Sequence, residues 1–200
     1  MVDKPSGLLS VPGRDPAHHD SAHARAETQA DRRLFPVHRL DMDTSGLLVF
    51  ATRRKAEREL FRQFRERLVA KRYLAWVAGE VPQDDGLIDL PLTRHKGRPR
   101  SFVDLEGGRP ARTRFSVLAR SRGATCLSLH PETGRSHQLR VHLLSLGHPI
   151  LGDRFYAPAD IISRSDRLLL HAETLRLLHP WSGQPLELRA PSPFCLTESP

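Results

Sequence analysis

The passage from Val37 to Ala51, Val-His-Arg-Leu-Asp-Met-Asp-Thr-Ser-Gly-Leu-Leu-Val-Phe-Ala, limits what this chain can fold into more than any other stretch. It opens on charged and polar side chains and closes on an unbroken apolar run. That order predicts a loop that presents side chains and then enters a sheet. Arg39, Asp41 and Asp43 alternate with Leu40 and Met42, so an extended backbone would put all three on one face. Taken alone, Asp43-Thr44-Ser45-Gly46 is ordinary turn chemistry, in which short polar side chains bond nearby backbone.

A chain of 200 residues can form one domain with a sizeable core. Its formal charge of +8 and pI near 10.4 fit a protein that meets a polyanion. Only four of the 31 basic residues are lysine (Lys4, Lys55, Lys71, Lys96), and arginine suits phosphate forks and base stacking. Cys126 and Cys195 are single and distant, which indicates neither a disulfide framework nor a zinc cluster. No apolar run approaches the roughly 18 residues of a membrane span, and no signal peptide opens the chain. A cytoplasmic protein with no membrane partner is expected.

Pro5-Ser6-Gly7 reads as a turn and Leu8 to Val11 as a short strand. Residues 14–33 are polar and read as a surface loop or helix without an apolar stripe. His18, His19 and His23 lack a carboxylate or Cys set at ligand spacing, so solvated side chains are expected there, not a metal site. Thr52 is placed to cap a helix to about Leu68, with Ala56, Leu60, Phe64 and Leu68 as its buried stripe and six arginines on its other faces. Residues 71–79 alternate as a strand, and 87–90 form another. Residues 93–110 are basic and loop-like. Arg112 to Ala119 and Ala124 to His130 read as a hairpin through Ser121-Arg122-Gly123. Ser136 is placed to cap a helix from His137 to about Leu146, burying Leu139, Leu143 and Leu146 with Arg140 to one side. Strand-like runs follow at 168–171, 174–178 and 186–189. The irregular alternation fits an α+β fold, a mixed, largely antiparallel sheet with flanking helices.

Several separated motifs together resemble the RluA family of pseudouridine synthases, which act on RNA. They are Lys4-Pro5-Ser6-Gly7-Leu8-Leu9, His38-Arg39-Leu40-Asp41 with Thr44-Ser45-Gly46, Lys71-Arg72-Tyr73, and Thr133-Gly134-Arg135-Ser136-His137-Gln138-Leu139-Arg140 followed by Gly147 to Asp153. The resemblance covers residues 4–190. Ser10-Val11-Pro12-Gly13, Arg62-Gln63-Phe64-Arg65-Glu66 and Gly152-Asp153-Arg154-Phe155-Tyr156-Ala157 bring it close to the dual-specificity RluA branch. Family members normally carry one or two strands ahead of the first motif, so those strands are expected to be missing here. No S4-type module precedes what is expected to be a single catalytic domain over residues 1–200, as in that branch.

The resemblance implies the pseudouridine synthase fold and the isomerisation of specific uridines in structured RNA. The substrates implied are uridine 32 of a tRNA anticodon stem-loop, uridine 746 of 23S ribosomal RNA, or both, with another ribosomal RNA uridine as the alternative. Asp41 takes the position of the catalytic nucleophile, Tyr73 that of the tyrosine stacked on the base, and Arg140 that of the arginine paired with the aspartate. Burial disfavours an ionised carboxylate unless a cation sits beside it, which is the chemical reason for such a pairing. Arg39 matches the arginine that enters the RNA stack where the target base was. His38, Thr44, Arg135, His137 and Gln138 fall within the substrate-binding motifs. Leu169 or Leu170 supplies an apolar wall to the base pocket. The reaction requires no cofactor and no metal, and a monomer is expected. Two other readings stand beside this one: a non-catalytic RNA-binding protein or chaperone on the same fold, and a hydrolase that uses Asp41 and Asp43 as a carboxylate pair.

Overall fold

The structure, a computed structural model, describes residues 1–194. Strands β1 (Val2–Lys4), β2 (Phe35–Pro36), β3 (Ser45–Leu48) and β4 (Phe50–Ala51) come first, with helix α1 (Ala22–Ala30) between β1 and β2. Helix α2 (Arg54–Arg65) leads to β5 (Ala70–Ala78), β6 (Asp85–Asp89), β7 (Leu92–Arg94), β8 (Ser101–Val103), β9 (Arg112–Ser121) and β10 (Ala124–Pro131). Helices α3 (Gln138–Ser145) and α4 (Ala159–Ile162) and strands β11 (Leu170–Leu178) and β12 (Pro185–Arg189) follow. The fold is α+β and its pairing mostly antiparallel, as the alternation predicts. The chain divides into two compact units, Met1–Lys71 with Ala172–Pro191, and Arg72–His171 with residues 192–194.

In the first unit β3 lies between β1 and β11, and β12 pairs antiparallel with β11. The apolar run ending at Ala51 is buried throughout, the pattern of strands covered on both faces. Gly46 sits at φ 108°, and a Cβ there would lie 2.2 Å from the Ala172 carbonyl oxygen. Only glycine lets β3 come this close to β11. Helix α2 packs Leu60 into the unit's core, with Ala56 and Phe64 partly buried beside it. Fully burying a leucine contributes roughly 1.5–3 kcal/mol.

The ends of α2 differ from the sequence reading. The cap position is Arg53, not Thr52, and it makes no side-chain cap bond. The helix stops at Arg65, so Leu68 falls beyond it and is exposed. Gln63 is buried instead, because its amide donates to the Leu178 carbonyl (3.0 Å) and accepts from the Leu178 N–H (2.9 Å). Residues 22–30 are helical despite the weak stripe: Ser21 Oγ accepts from Ala24 N at 3.1 Å, and only Ala22 and Ala26 are buried. His23 is not solvated as expected, since its Nε2 bonds the Leu34 carbonyl oxygen at 2.9 Å. Residues 8–11 make a single bridge, Leu9 to Ser21, and the strand lies earlier, at Val2–Lys4.

In the second unit the strand order is β5-β10-β9-β6. The β9–β10 turn has both central residues in the left-handed region, Arg122 at φ 50° and Gly123 at φ 68°, which matches the right-handed twist of a hairpin. Trp76, Leu127, Leu129, Leu143, Ile150 and Leu151 fill the core. The basic stretch expected as loop contains the small hairpin β7–β8, anchored by buried Leu92. Ser136 does not cap α3, which begins after His137 in a left-handed conformation (φ 55°), and Leu146 is exposed. The two runs expected at 168–171 and 174–178 merge into the single strand β11. Cys195 lies outside the described residues. Among those described, no helix is long and apolar enough to cross a membrane.

Gly46 and Gly7 separate two penalties. Gly46→Ala is expected to destabilise the protein by more than about 3 kcal/mol, because strain and a backbone clash combine. Gly7→Ala, at φ 81° with nothing within 4 Å of a new Cβ, is expected to cost about 1 kcal/mol. Urea unfolding midpoints of the two variants measure the difference.

Candidate active site

In the first unit the loop from Val37 to Thr44 is fastened from below. Val37 and Leu40 point into protein, and Ser10 Oγ both donates to the Leu40 carbonyl (2.7 Å) and accepts from the Leu40 N–H (3.0 Å). Lys4 is 1% exposed. Its Nζ donates to the carbonyl oxygens of Pro5 (2.9 Å), Leu8 (2.7 Å) and Met42 (2.8 Å). Each carbonyl accepts from the ammonium group, which carries donors only. Gly7 N–H also donates to Met42 O at 3.0 Å, and Ser6 Oγ to Asp43 O at 2.6 Å. These bonds tie the first motif to the Asp41 loop residue by residue.

The chain turns at this point, Thr44 N–H donating to Asp41 O at 3.1 Å. The extended backbone that would align Arg39, Asp41 and Asp43 is therefore not formed, and Asp43 sits within the turn. This removes the geometric basis for a carboxylate pair on one strand face. Asp41 is half-buried, Arg39 exposed and Thr44 buried. His38 stacks on Phe64 with ring centroids 4.6 Å apart, and its Nε2 accepts from Val49 N–H at 3.0 Å. Burial, and next the nearby Lys71 charge, push its pKa down to about 4, so the ring is neutral at physiological pH. Lys71 itself is lowered to about 8, chiefly by burial and then by Arg67.

In the second unit Arg140 is turned inward, not to one side of α3 as its spacing indicated. Its Nε donates to Asp153 Oδ2 (2.8 Å) and its Nη2 to Asp153 Oδ1 (2.6 Å), with both side chains 1% exposed. Asp153 Oδ1 also accepts from Phe155 N–H at 3.0 Å and Tyr156 N–H at 3.3 Å. The guanidinium carbon lies 5.0 Å and 5.3 Å from the Phe155 and Tyr156 ring centroids. A two-pronged ion pair with its remaining oxygen valences filled is the arrangement in which buried charges are tolerated.

The rest of that motif is anchored inside the unit. Gln138 Oε1 accepts from Thr133 Oγ1 (2.7 Å) and Arg135 N–H (3.0 Å), while its Nε2 donates to Arg112 O (2.9 Å) and Thr113 Oγ1 (3.0 Å). Half-buried Arg135 donates to Pro110 O at 3.1 Å. His137 Nδ1 lies 2.7 Å from Tyr156 Oη, which accepts from Ser101 N–H at 2.8 Å. Tyr156 also lines a pocket of about 400 Å³ with Phe102, Val141 and Leu144, rimmed by His95, Arg98 and Arg100. Tyr73 is half-buried on β5 opposite Leu129, and Leu169 and Leu170 are both buried in the unit's core.

Sequence reasoning assigned no role to Lys4 or Asp153. Both stand inside quoted motifs, so a signal existed, but a buried partner is identified only by what surrounds it. Among the described residues no group of His, Cys, Asp and Glu is arranged to hold a metal ion.

Removing the carboxylate charge in Asp153→Asn breaks the buried two-pronged ion pair with Arg140 and is expected to lower stability by about 3–5 kcal/mol. Arg140→Met combined with Asp153→Leu is expected to recover most of that loss, read by urea unfolding. For His38, the folded pKa near 4 lies below the ordinary 6.5. The unfolded chain therefore binds the extra proton first, and stability falls as pH drops from about 6.5 to about 4, by up to about 3 kcal/mol. His38→Gln is expected to flatten that part of a melting-temperature profile.

The profile of the RNA pseudouridylate synthase family matches residues 1–145. The chain is 50% identical over 196 residues to the dual-specificity RNA pseudouridine synthase RluA of Pasteurella multocida, covering 97% of this chain and 89% of that protein. It is 50% identical over 199 residues to the protein of the same name from Escherichia coli K12, with the same coverage. A solved structure, human RNA pseudouridylate synthase domain containing 1, superposes with a TM-score of 0.79 at 28% identity, covering 98% of this chain and 88% of that one. With family profile, full-length relatives and fold in agreement, the chain belongs to the RNA pseudouridylate synthase family.

Proposed function

We propose that this protein isomerises uridine 32 of a tRNA anticodon stem-loop and uridine 746 of 23S ribosomal RNA to pseudouridine. The observation that carries this reading is the 50% identity, over 97% of the chain, to synthases named as dual-specificity enzymes. Residues 1–200 act as one catalytic domain and as a monomer in the cytoplasm.

The reaction breaks the N1–C1′ bond, turns the uracil, and joins C5 to C1′. It is an isomerisation, so no redox partner, metal or cofactor is needed. The target nucleotide leaves its stack, as chemistry on a base generally requires. Arg39, exposed on the loop, fills the gap it leaves, and Tyr73 stacks on the extruded base. His38, Thr44, Arg135, His137 and Gln138 shape and hold the RNA-binding motifs, and Leu169 or Leu170 forms the apolar wall. Asp41 either bonds to C1′ as uracil departs or removes a ribose proton to give a glycal. In both routes the C5 proton is lost and N1 gains one, so the balance is unchanged. Arg140, from its place in the later motif, is assigned as the cationic residue of the catalytic set. The fastening of the Asp41 loop by Lys4 supports a nucleophile held in one position.

Tritium release from C5-labelled uridine in the two RNAs tests the proposal. Asp41→Asn is expected to abolish release while RNA binding stays within about threefold of wild type. Full residual activity would remove Asp41 from the chemistry. Arg140→Ala is expected to lower kcat by at least about a hundredfold, the scale of a lost charge stabiliser, with a smaller change in binding.

A further inference from the structure

The first turn of α2 breaks a rule that helices normally obey. Arg53 occupies the cap, and Arg54 and Lys55 follow in the first turn, where the helix end already carries partial positive charge. Each cation there is disfavoured by that partial charge, and arginine offers no capping acceptor. Glu57 is the acid of that turn, and Arg54 Nη1 holds it at 2.9 Å. Arg33, Arg53, Lys55 and Arg58 are exposed and have no carboxylate within ion-pair range among the described residues. The second half of the helix is built differently. Arg62 is paired with Glu59 at 2.7 Å and Arg65 with Glu66 at 3.3 Å. Within α2 the cations without a carboxylate partner therefore lie in its first half.

Two aromatic rings, half-buried Phe35 and exposed Trp181, accompany these cations. The Arg33 and Arg54 guanidiniums lie 5.5 Å and 4.3 Å from the Phe35 ring centroid. Lys55 Nζ lies 4.7 Å from the ring of Trp181, on the β11–β12 connection, and that tryptophan is 73% exposed. Trp76, the chain's other tryptophan, is 0% exposed. Cations interleaved with an exposed aromatic face are the composition that binds unpaired nucleic acid, phosphates on the cations and a base on the ring. A polyanion also reverses the sign of the helix-end penalty, which gives a reason for charges that folding alone disfavours.

We propose that Arg53, Lys55, Arg58 and Arg33, with Trp181, form an RNA-docking surface additional to the motifs around Asp41. It takes a backbone segment of the substrate RNA outside the loop that carries the target uridine, with an unpaired base on Trp181. The ligand class rests on the reading of the protein as an RNA-modifying enzyme, while the place rests on the surface itself.

Two measurements test it. Tryptophan fluorescence of the intact protein is titrated with a full-length tRNA transcript, and quenching is expected in wild type and lost in Trp181→Phe, since buried Trp76 does not meet the ligand. In turnover assays the double variant Arg53→Gln, Lys55→Gln is expected to raise KM about three- to tenfold and to lower the salt slope of binding by about 1–2. Its kcat and its melting temperature should not fall, because two cations have been removed from a helix start. Absence of quenching, or an unchanged KM and salt slope with turnover intact, overturns the proposal and leaves the patch to an acidic partner of another class. If wild type modified neither RNA, the proposed function would fail, yet the fluorescence titration would still report on this surface.

Discussion

The interaction on which the first unit depends is the buried Lys4 ammonium and its three carbonyl partners. Two of those carbonyls, of Pro5 and Leu8, belong to the turn that follows β1, and the third, of Met42, to the loop that carries Asp41. A buried ammonium group is costly unless polar partners replace its water. Here the backbone supplies them, so the ammonium and the loop geometry fix one another. Gly46, opposite Lys4 in the β1–β3 register, completes the arrangement by letting β3 approach β11. A loop held this way loses little freedom when it binds a ligand, because its ordering was completed on folding.

The second unit solves the same problem with side chains. Arg140 and Asp153 neutralise each other out of water, and the N–H groups of Phe155 and Tyr156 finish the carboxylate. Around them Gln138 has both ends of its amide bonded, and His142 is buried between Thr113 and Leu90 with its pKa lowered by that burial. Polar groups in such a network specify one geometry, since a half-satisfied network would be worse than an apolar core. The motif expected from its resemblance to face RNA is therefore, in the folded chain, a structural girder.

The surface charge follows different logic in different places. Along the second half of α2, arginines meet glutamates three or four residues away and the helix is served by its own charges. At its first turn the cations oppose the helix dipole and face solvent. Part of the net charge of +8 therefore lies at a helix start that folding alone does not favour.

What the sequence by itself determined are the features that depend on neighbours in the chain. The alternation of residues 71–79 pointed to β5, the runs 112–119 and 124–130 joined through Ser121-Arg122-Gly123 to the β9–β10 hairpin, and four-residue spacing to the body of α2. The motif strings also carried the family, because their order and content are properties of the string. Tertiary structure alone decided which polar residues are buried. Gln63 is held by a backbone 115 residues away, Arg140 by Asp153, and the Asp41 loop by Lys4 some 38 residues earlier. It also decided the helix starts at Arg53 and His137, where neighbouring Thr52 and Ser136 had better capping chemistry. The physical reason is that periodicity reports a solvent boundary, whereas satisfaction of a buried polar group depends on atoms that only the folded chain brings near it.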